Sequence, residues 1–156
     1  MFCTDTVTWL YKLERDFVWA SGKPVAADVD FRDRKGGVRA RISKAGEITV
    51  IAGYAWDGCT PKVCLFDVLS GIPDGAVHRD TGRPKTYYAS LVHDVLYQFA
   101  DHPSMPYRRR EADAFFLRLM AETGFAPRHV YFIAVRVCGG LFRRWTHTYG
   151  KKRPRP

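Results

Sequence analysis

The chain has 156 residues, 46% of them apolar or aromatic and 26% charged, enough for one sizeable core and the balance of a folded domain, which excludes wholesale disorder. No run of about 18 apolar residues occurs, and MFCTDTVTWLYKLERD lacks a basic start followed by an apolar stretch, so neither a transmembrane segment nor a signal peptide is expected. The net charge of +9 lies wholly in the second half: residues 1–78 hold ten charges of each sign, whereas residues 79–156 hold 15 Lys and Arg against 6 Asp and Glu. That half carries Arg108, Arg109 and Arg110, then Arg143 and Arg144, then the tail residues Lys151, Lys152, Arg153 and Arg155. Such a surface attracts polyanions, so anionic membrane lipid and nonspecific nucleic acid are the partner classes the charge suggests. Each cluster taken alone is also explained as a solvated helix face or a frayed tail.

In chain order, Trp9, Tyr11 and Leu13, then Phe17 and Trp19, then Val38, Ala40 and Ile42 alternate with polar residues and predict strands. Lys35-Gly36-Gly37 and Lys44-Ala45-Gly46 supply turns, so Val38–Ser43 and Glu47–Tyr54 read as a hairpin in a small antiparallel meander. Residues 56–86 are rich in Gly and Pro and read as one long loop, with a short apolar piece from Val63 to Leu69. Apolar residues at Leu91, Val95 and Phe99, flanked by Tyr88, Val92 and Leu96, predict a helix over 87–100 that Pro103 ends. A second helix is predicted from about Tyr107 to Glu122, with Ala112, Phe115, Phe116, Leu119 and Met120 on one side and Gly124 as its cap. Pro127 suits the first turn of a third helix, whose Val130, Ala134, Val137 and Leu141 share a face until Gly139-Gly140 weakens it. Strands first and helices second make the expected fold class α+β: a single domain with a strand-rich part (1–55), a long loop (56–86), a helical part (87–146) and a basic tail (147–156). Cys3, Cys59, Cys64 and Cys138 are scattered and, without an export signal, read as reduced thiols filling the core.

The chemistry-bearing residues fall around the first two helices. His93-Asp94 sits among Leu91, Val92, Val95 and Leu96, and Asp113 shares a flank with the apolar stripe of the second helix. If the two helices pack antiparallel across the connection 101–106, Asp113 can approach His93 and fix its tautomer, leaving the second ring nitrogen to take a proton from water. Asp57, in the glycine-bounded loop Gly53-Tyr54-Ala55-Trp56-Asp57-Gly58, could join Asp94 and loop carbonyls in the all-oxygen ligand set that Ca²⁺ prefers. The bland accounts are equally concrete. His93 could be a satisfied core histidine, Asp113 a salt-bridge partner of Arg109 or Arg110, and Asp57-Gly58 an ordinary turn.

Four segments, Asp57-Gly58-Cys59-Thr60, His93-Asp94-Val95-Leu96-Tyr97, Asp113-Ala114-Phe115-Phe116 and Tyr131-Phe132-Ile133-Ala134-Val135-Arg136 leading to Gly139, together resemble the phospholipase A2 fold in its short bacterial and fungal form, over about residues 54–142. The His-Asp, Leu-Tyr, Ala-Asp and Ala-Val-Arg pieces also resemble a family of uncharacterised bacteriophage and prophage proteins over nearly the whole chain. The first resemblance implies a phospholipase A2-like helical core with His93 as general base and Asp113 as its orienting partner. It further implies that Tyr97 helps to hold the pair, and that Asp57, Asp94 and the Gly58 carbonyl ligate calcium. Secreted phospholipases carry a disulfide cysteine shortly before the His, where this chain has Ser90, Leu91 and Val92, so a disulfide-stapled secreted enzyme is not expected.

Two functions are therefore expected in competition. One is calcium-dependent hydrolysis of a lipid ester, with Phe142, Trp145 and the basic tail at the lipid surface; the other is a noncatalytic virion or tail accessory role, with phage virion components as partners. The setting that the resemblance implies is the bacterial host cytoplasm or the virion. A His-Asp metal phosphohydrolase using His78, and a zinc site from Cys59 and Cys64, fit less well because the further ligands they need are missing at suitable spacing.

Overall fold

A computed structural model describes residues 11–56 and 82–136. Asp57 and Gly58, the segment Val63–Leu69, all four cysteines, Val137, Leu141, Phe142, Trp145 and the basic tail lie outside the described residues. Among the described residues the architecture is α+β: antiparallel strands in two sheets, then three helices.

The strands are β1 (Tyr11–Lys12), β2 (Phe17–Ala20), β3 (Val29–Arg32), β4 (Val38–Ile42), β5 (Glu47–Val50) and β6 (Ala55–Trp56). Their alternation buries one face: Trp19, Phe31, Ala40, Ile42, Ile48 and Val50 point inward, while Val18, Asp30 and Arg41 point to solvent. Both predicted turns form. Asp33 Oδ1 accepts the Lys35 and Gly37 amides at 2.9 Å each, and Gly36 and Gly46 take the left-handed conformation at φ 84°.

The sheet is not the simple meander that the pattern suggests. Its order is β2-β5-β4-β3, so β3, β4 and β5 run as a meander while β2 pairs with β5 on the far side, a Greek-key order. The second strand of the predicted hairpin is also shorter, because β5 ends at Val50 and the chain turns at 51–54 through Gly53, at φ 85°. There the Leu13 amide donates to the Tyr54 carbonyl (2.8 Å) and the Gly53 amide to the Leu13 carbonyl (2.7 Å). That turn delivers β6 to β1, and Trp56 beneath the helices.

Helix α1 spans Tyr87–Gln98 and α2 spans Arg109–Glu122; α3 is helical over 128–136. α1 starts where expected and stops two residues early, at the turns that lead to Pro103 and Pro106. α2 begins after Arg108, which is extended at ψ 160°, and the Glu111 carboxylate accepts the Arg108 amide at 2.6 Å. Gly124, at φ 65°, ends it as the pattern predicts. The face of α3 is rotated from expectation: Ala134 is buried as expected, but Tyr131 is buried beside it and Val130 is 46% exposed.

Aromatic contacts seat the sheet on the helices. Phe17 stacks on Tyr88 at 4.2 Å, Phe31 lies 5.2 Å from Phe99, and Trp19 meets Phe115 edge-on at 5.4 Å. Polar anchors fix the register. The Arg118 guanidinium donates to the Ser21 carbonyl at 2.7 Å and to that of Ala20, and the Trp19 indole donates to Glu122 at 3.0 Å. The Tyr107 hydroxyl bridges Ser21 Oγ and the Lys23 carbonyl at 2.9 Å each.

The close approach of the turn to this anchor gives a test. A Cβ at residue 46 would collide with the Lys23 carbonyl oxygen, on a left-handed backbone that disfavours side chains. Gly46→Ala is expected to destabilise the protein by about 2 kcal/mol or more, read as a lowered denaturation midpoint with unchanged slope.

Candidate functional site

His93 and Tyr97 stand one turn apart on α1, four residues being close to one helical repeat, and both face α2. Asp113 lies on α2 between Ala112 and the Phe115-Phe116 pair, and its carboxylate is completely buried. The antiparallel packing expected from the sequence brings these residues together. His93 Nε2 is 3.0 Å from Asp113 Oδ1, and the Tyr97 hydroxyl donates to the same oxygen at 2.5 Å.

The other carboxylate oxygen is held by arginines. Arg136 Nη1, on α3, donates to Asp113 Oδ2 at 3.0 Å, and Arg109 Nε, one turn before Asp113, lies 3.9 Å from that oxygen. Arg109 also donates from Nε to the Tyr97 hydroxyl at 2.8 Å and from Nη2 to the carbonyls of Val135 (3.3 Å) and Arg136 (2.8 Å). The reading of Asp113 as an arginine partner and its reading as a histidine partner are thus both realised. Arg136 as a partner was missed; its only sequence signal was its place in the Ala134-Val135-Arg136 segment.

Burial would push the Asp113 carboxyl upward, but hydrogen bonds from His93, Tyr97 and Arg136 outweigh it and hold the group below its usual range. Burial raises Tyr97, and the bond to the Asp113 carboxylate raises it further, against the opposing Arg109. Tyr97 is therefore a neutral phenol and a dependable donor. The His93 ring packs against Tyr97 at 4.2 Å and Phe116 at 4.9 Å, and its side chain keeps 13% exposure. With Nε2 engaged by Asp113, Nδ1 is the nitrogen left to accept a proton.

Asp94 is half-buried on the neighbouring face of α1. It acts electrostatically on Tyr54, whose hydroxyl, buried and raised well above its usual range first by burial and then by Asp94, donates to Gln98 Oε1 at 2.6 Å. Trp56 Nε1 donates to Ser90 Oγ at 3.1 Å, pinning the end of β6 to α1 one turn before Asp94. Of the expected site residues, His93, Tyr97 and Asp113 form one cluster and Asp94 stands beside it. Asp57 and Gly58 are outside the described residues, among which no group of three or more His, Cys, Asp or Glu is placed to hold a metal ion. Among the described residues, no helix is long and apolar enough to cross a membrane.

Fold and site define an α+β protein in which helices seated on a small antiparallel sheet bury a His-Asp-Tyr cluster between them. The chain belongs to the family described as a protein of unknown function, DUF1353, whose model matches residues 39–135, from β4 through α1 and α2 into α3. Comparison with curated proteins and with solved structures gave no match.

Removing the Asp113 carboxylate would leave the partly buried Arg136 and Arg109 guanidiniums without their counter-ion, so Asp113→Ala is expected to lose about 3–5 kcal/mol of stability in chemical denaturation. The pH dependence has a definite sign. A carboxyl held lower in the folded chain than in the unfolded one stabilises fully above its ordinary value, 3.8, and progressively less as pH falls through the folded value. Asp113→Asn should therefore flatten the acid limb of melting temperature against pH below about pH 4.

Proposed function

We propose that the site hydrolyses a lipid ester in a calcium-dependent, phospholipase A2-like reaction, with the His93-Asp113 pair activating water. The observation that supports it is the engagement of His93 Nε2 by a buried, ionised carboxylate at 3.0 Å, which leaves Nδ1 as the proton acceptor. Water then gives a proton to Nδ1 as its oxygen bonds to the ester carbonyl carbon. The imidazolium returns the proton to the departing alcohol as the carbon–oxygen ester bond breaks. Asp113 holds the ring and balances its transient charge, and Tyr97 and Arg136 keep Asp113 in place.

Calcium, held by Asp94, Asp57 and the Gly58 carbonyl, would supply the positive charge that polarises the ester carbonyl. Two described features are compatible with such a ligand set: Asp94 sits beside Tyr54, and the chain is anchored to α1 through Trp56, whose next residue is Asp57. The substrate surface is an anionic membrane, matching the positive excess of residues 79–156, and the setting is the host cytoplasm or a phage virion.

A second reading takes support from the completeness of the cluster. Both Asp113 oxygens are occupied, and Arg109 is bonded to α3 carbonyls, as a purely structural staple between helices requires. In that case the protein is a noncatalytic virion or tail accessory component, and His93→Gln leaves particle assembly and infectivity intact.

Calorimetric titration separates the two. Wild-type protein is expected to bind Ca²⁺, Asp94→Asn and Asp57→Asn to abolish binding, and His93→Ala to lower ester hydrolysis at least about 100-fold. Turnover that persists in excess chelator would overturn the calcium-dependent reading.

A further inference from the structure

One carboxylate needs one counter-charge, yet Asp113 has two guanidiniums against it. The group of Asp113, Arg109 and Arg136 carries one surplus positive charge. The two arginines are not equivalent. Arg109 is taken up by Tyr97 and by the two α3 carbonyls, and its side chain is 27% exposed. Arg136 engages Asp113 through Nη1 alone, and its side chain is 35% exposed. Among the described residues its Nε and Nη2 have no hydrogen-bond partner, and these two N–H groups form the side edge of the guanidinium plane, the fork that takes two oxygens of a phosphate at once. Tyr97 holds its proton because burial and the Asp113 carboxylate raise it, so it does not cancel the surplus.

We propose that Arg136, backed by Arg109, forms a phosphate-binding subsite next to His93, presenting its Nε–Nη2 edge to two oxygens of a phosphate monoester or diester. This deepens the reading of the site as one that takes an anionic ester, and it rests on that reading for its biological purpose. Its test is binding and not turnover. A protein that binds phosphate through Arg136 but hydrolyses nothing would sink the catalytic reading and keep the subsite.

The probe is inorganic phosphate at low ionic strength, titrated into the full chain by calorimetry. Arg136→Lys keeps a cation opposite Asp113, and so favours folding, but removes the planar fork; it is expected to weaken phosphate binding about tenfold. Arg128→Gln removes one more positive charge from the same helix, eight residues or about 12 Å away along the axis, and should change binding less than twofold. Displacement of bound phosphate by phosphatidylglycerol vesicles would identify a lipid headgroup as the source of the phosphate. Binding indifferent to vesicles would identify a soluble phosphate compound, and either result sustains the subsite. Equal losses in Arg136→Lys and Arg128→Gln, or no saturable phosphate binding by the wild type, would overturn it.

Discussion

A fully buried carboxylate is the constraint on which the rest of the helical part depends. Taking Asp113 out of water costs several kcal/mol unless donors replace the lost hydration, and those donors come from the two neighbouring helices, His93 and Tyr97 on α1 and Arg136 on α3, with Arg109 on α2 itself adding its charge from 3.9 Å. α1 serves Oδ1 and α3 serves Oδ2, so Asp113 on α2 is satisfied only when both neighbouring helices are in place. The same carboxylate therefore sets the spacing of α1 against α2 and closes α3 over them, with Arg109 joining the second contact through the carbonyls of residues 135 and 136.

The sheet works on the opposite flank of α2. Arg118, Glu122 and Tyr107 bind backbone and side chains of β2 and the turn after it, so α2 is held from one side by the sheet and from the other by its buried charge. Between these anchors, Phe115, Phe116, Leu119 and Met120 supply the apolar contact area. His93 gains a fixed orientation from this arrangement, as the role proposed for it as a general base requires.

Much of the local structure was legible because it rests on short-range rules. The alternation at Phe17 and Trp19 and at Val38, Ala40 and Ile42, the glycine turns, the start of α1 and the Gly124 terminus all depend on neighbours within a few residues. The approach of Asp113 to His93 was legible for a related reason: a polar residue on an apolar flank needs a partner, and a short helix connection restricts where that partner can be. Where the pattern misled, a distant partner had decided the outcome. β2 crossed to pair with β5, β5 broke off to bring Trp56 to Ser90, and α3 turned Tyr131 inward instead of Val130, leaving Arg136 against Asp113.

Periodicity, turn chemistry and the cost of burying a lone charge were enough to specify the α+β order of elements, the two turns of the β3-β4-β5 meander, the apolar faces of α1 and α2 and the identity of the His-Asp pair. The strand order, the face of α3 and the doubling of arginines on one carboxylate came instead from contacts between distant segments. Those features join residues more than 20 positions apart, through hydrogen bonds that leave no periodic trace along the chain.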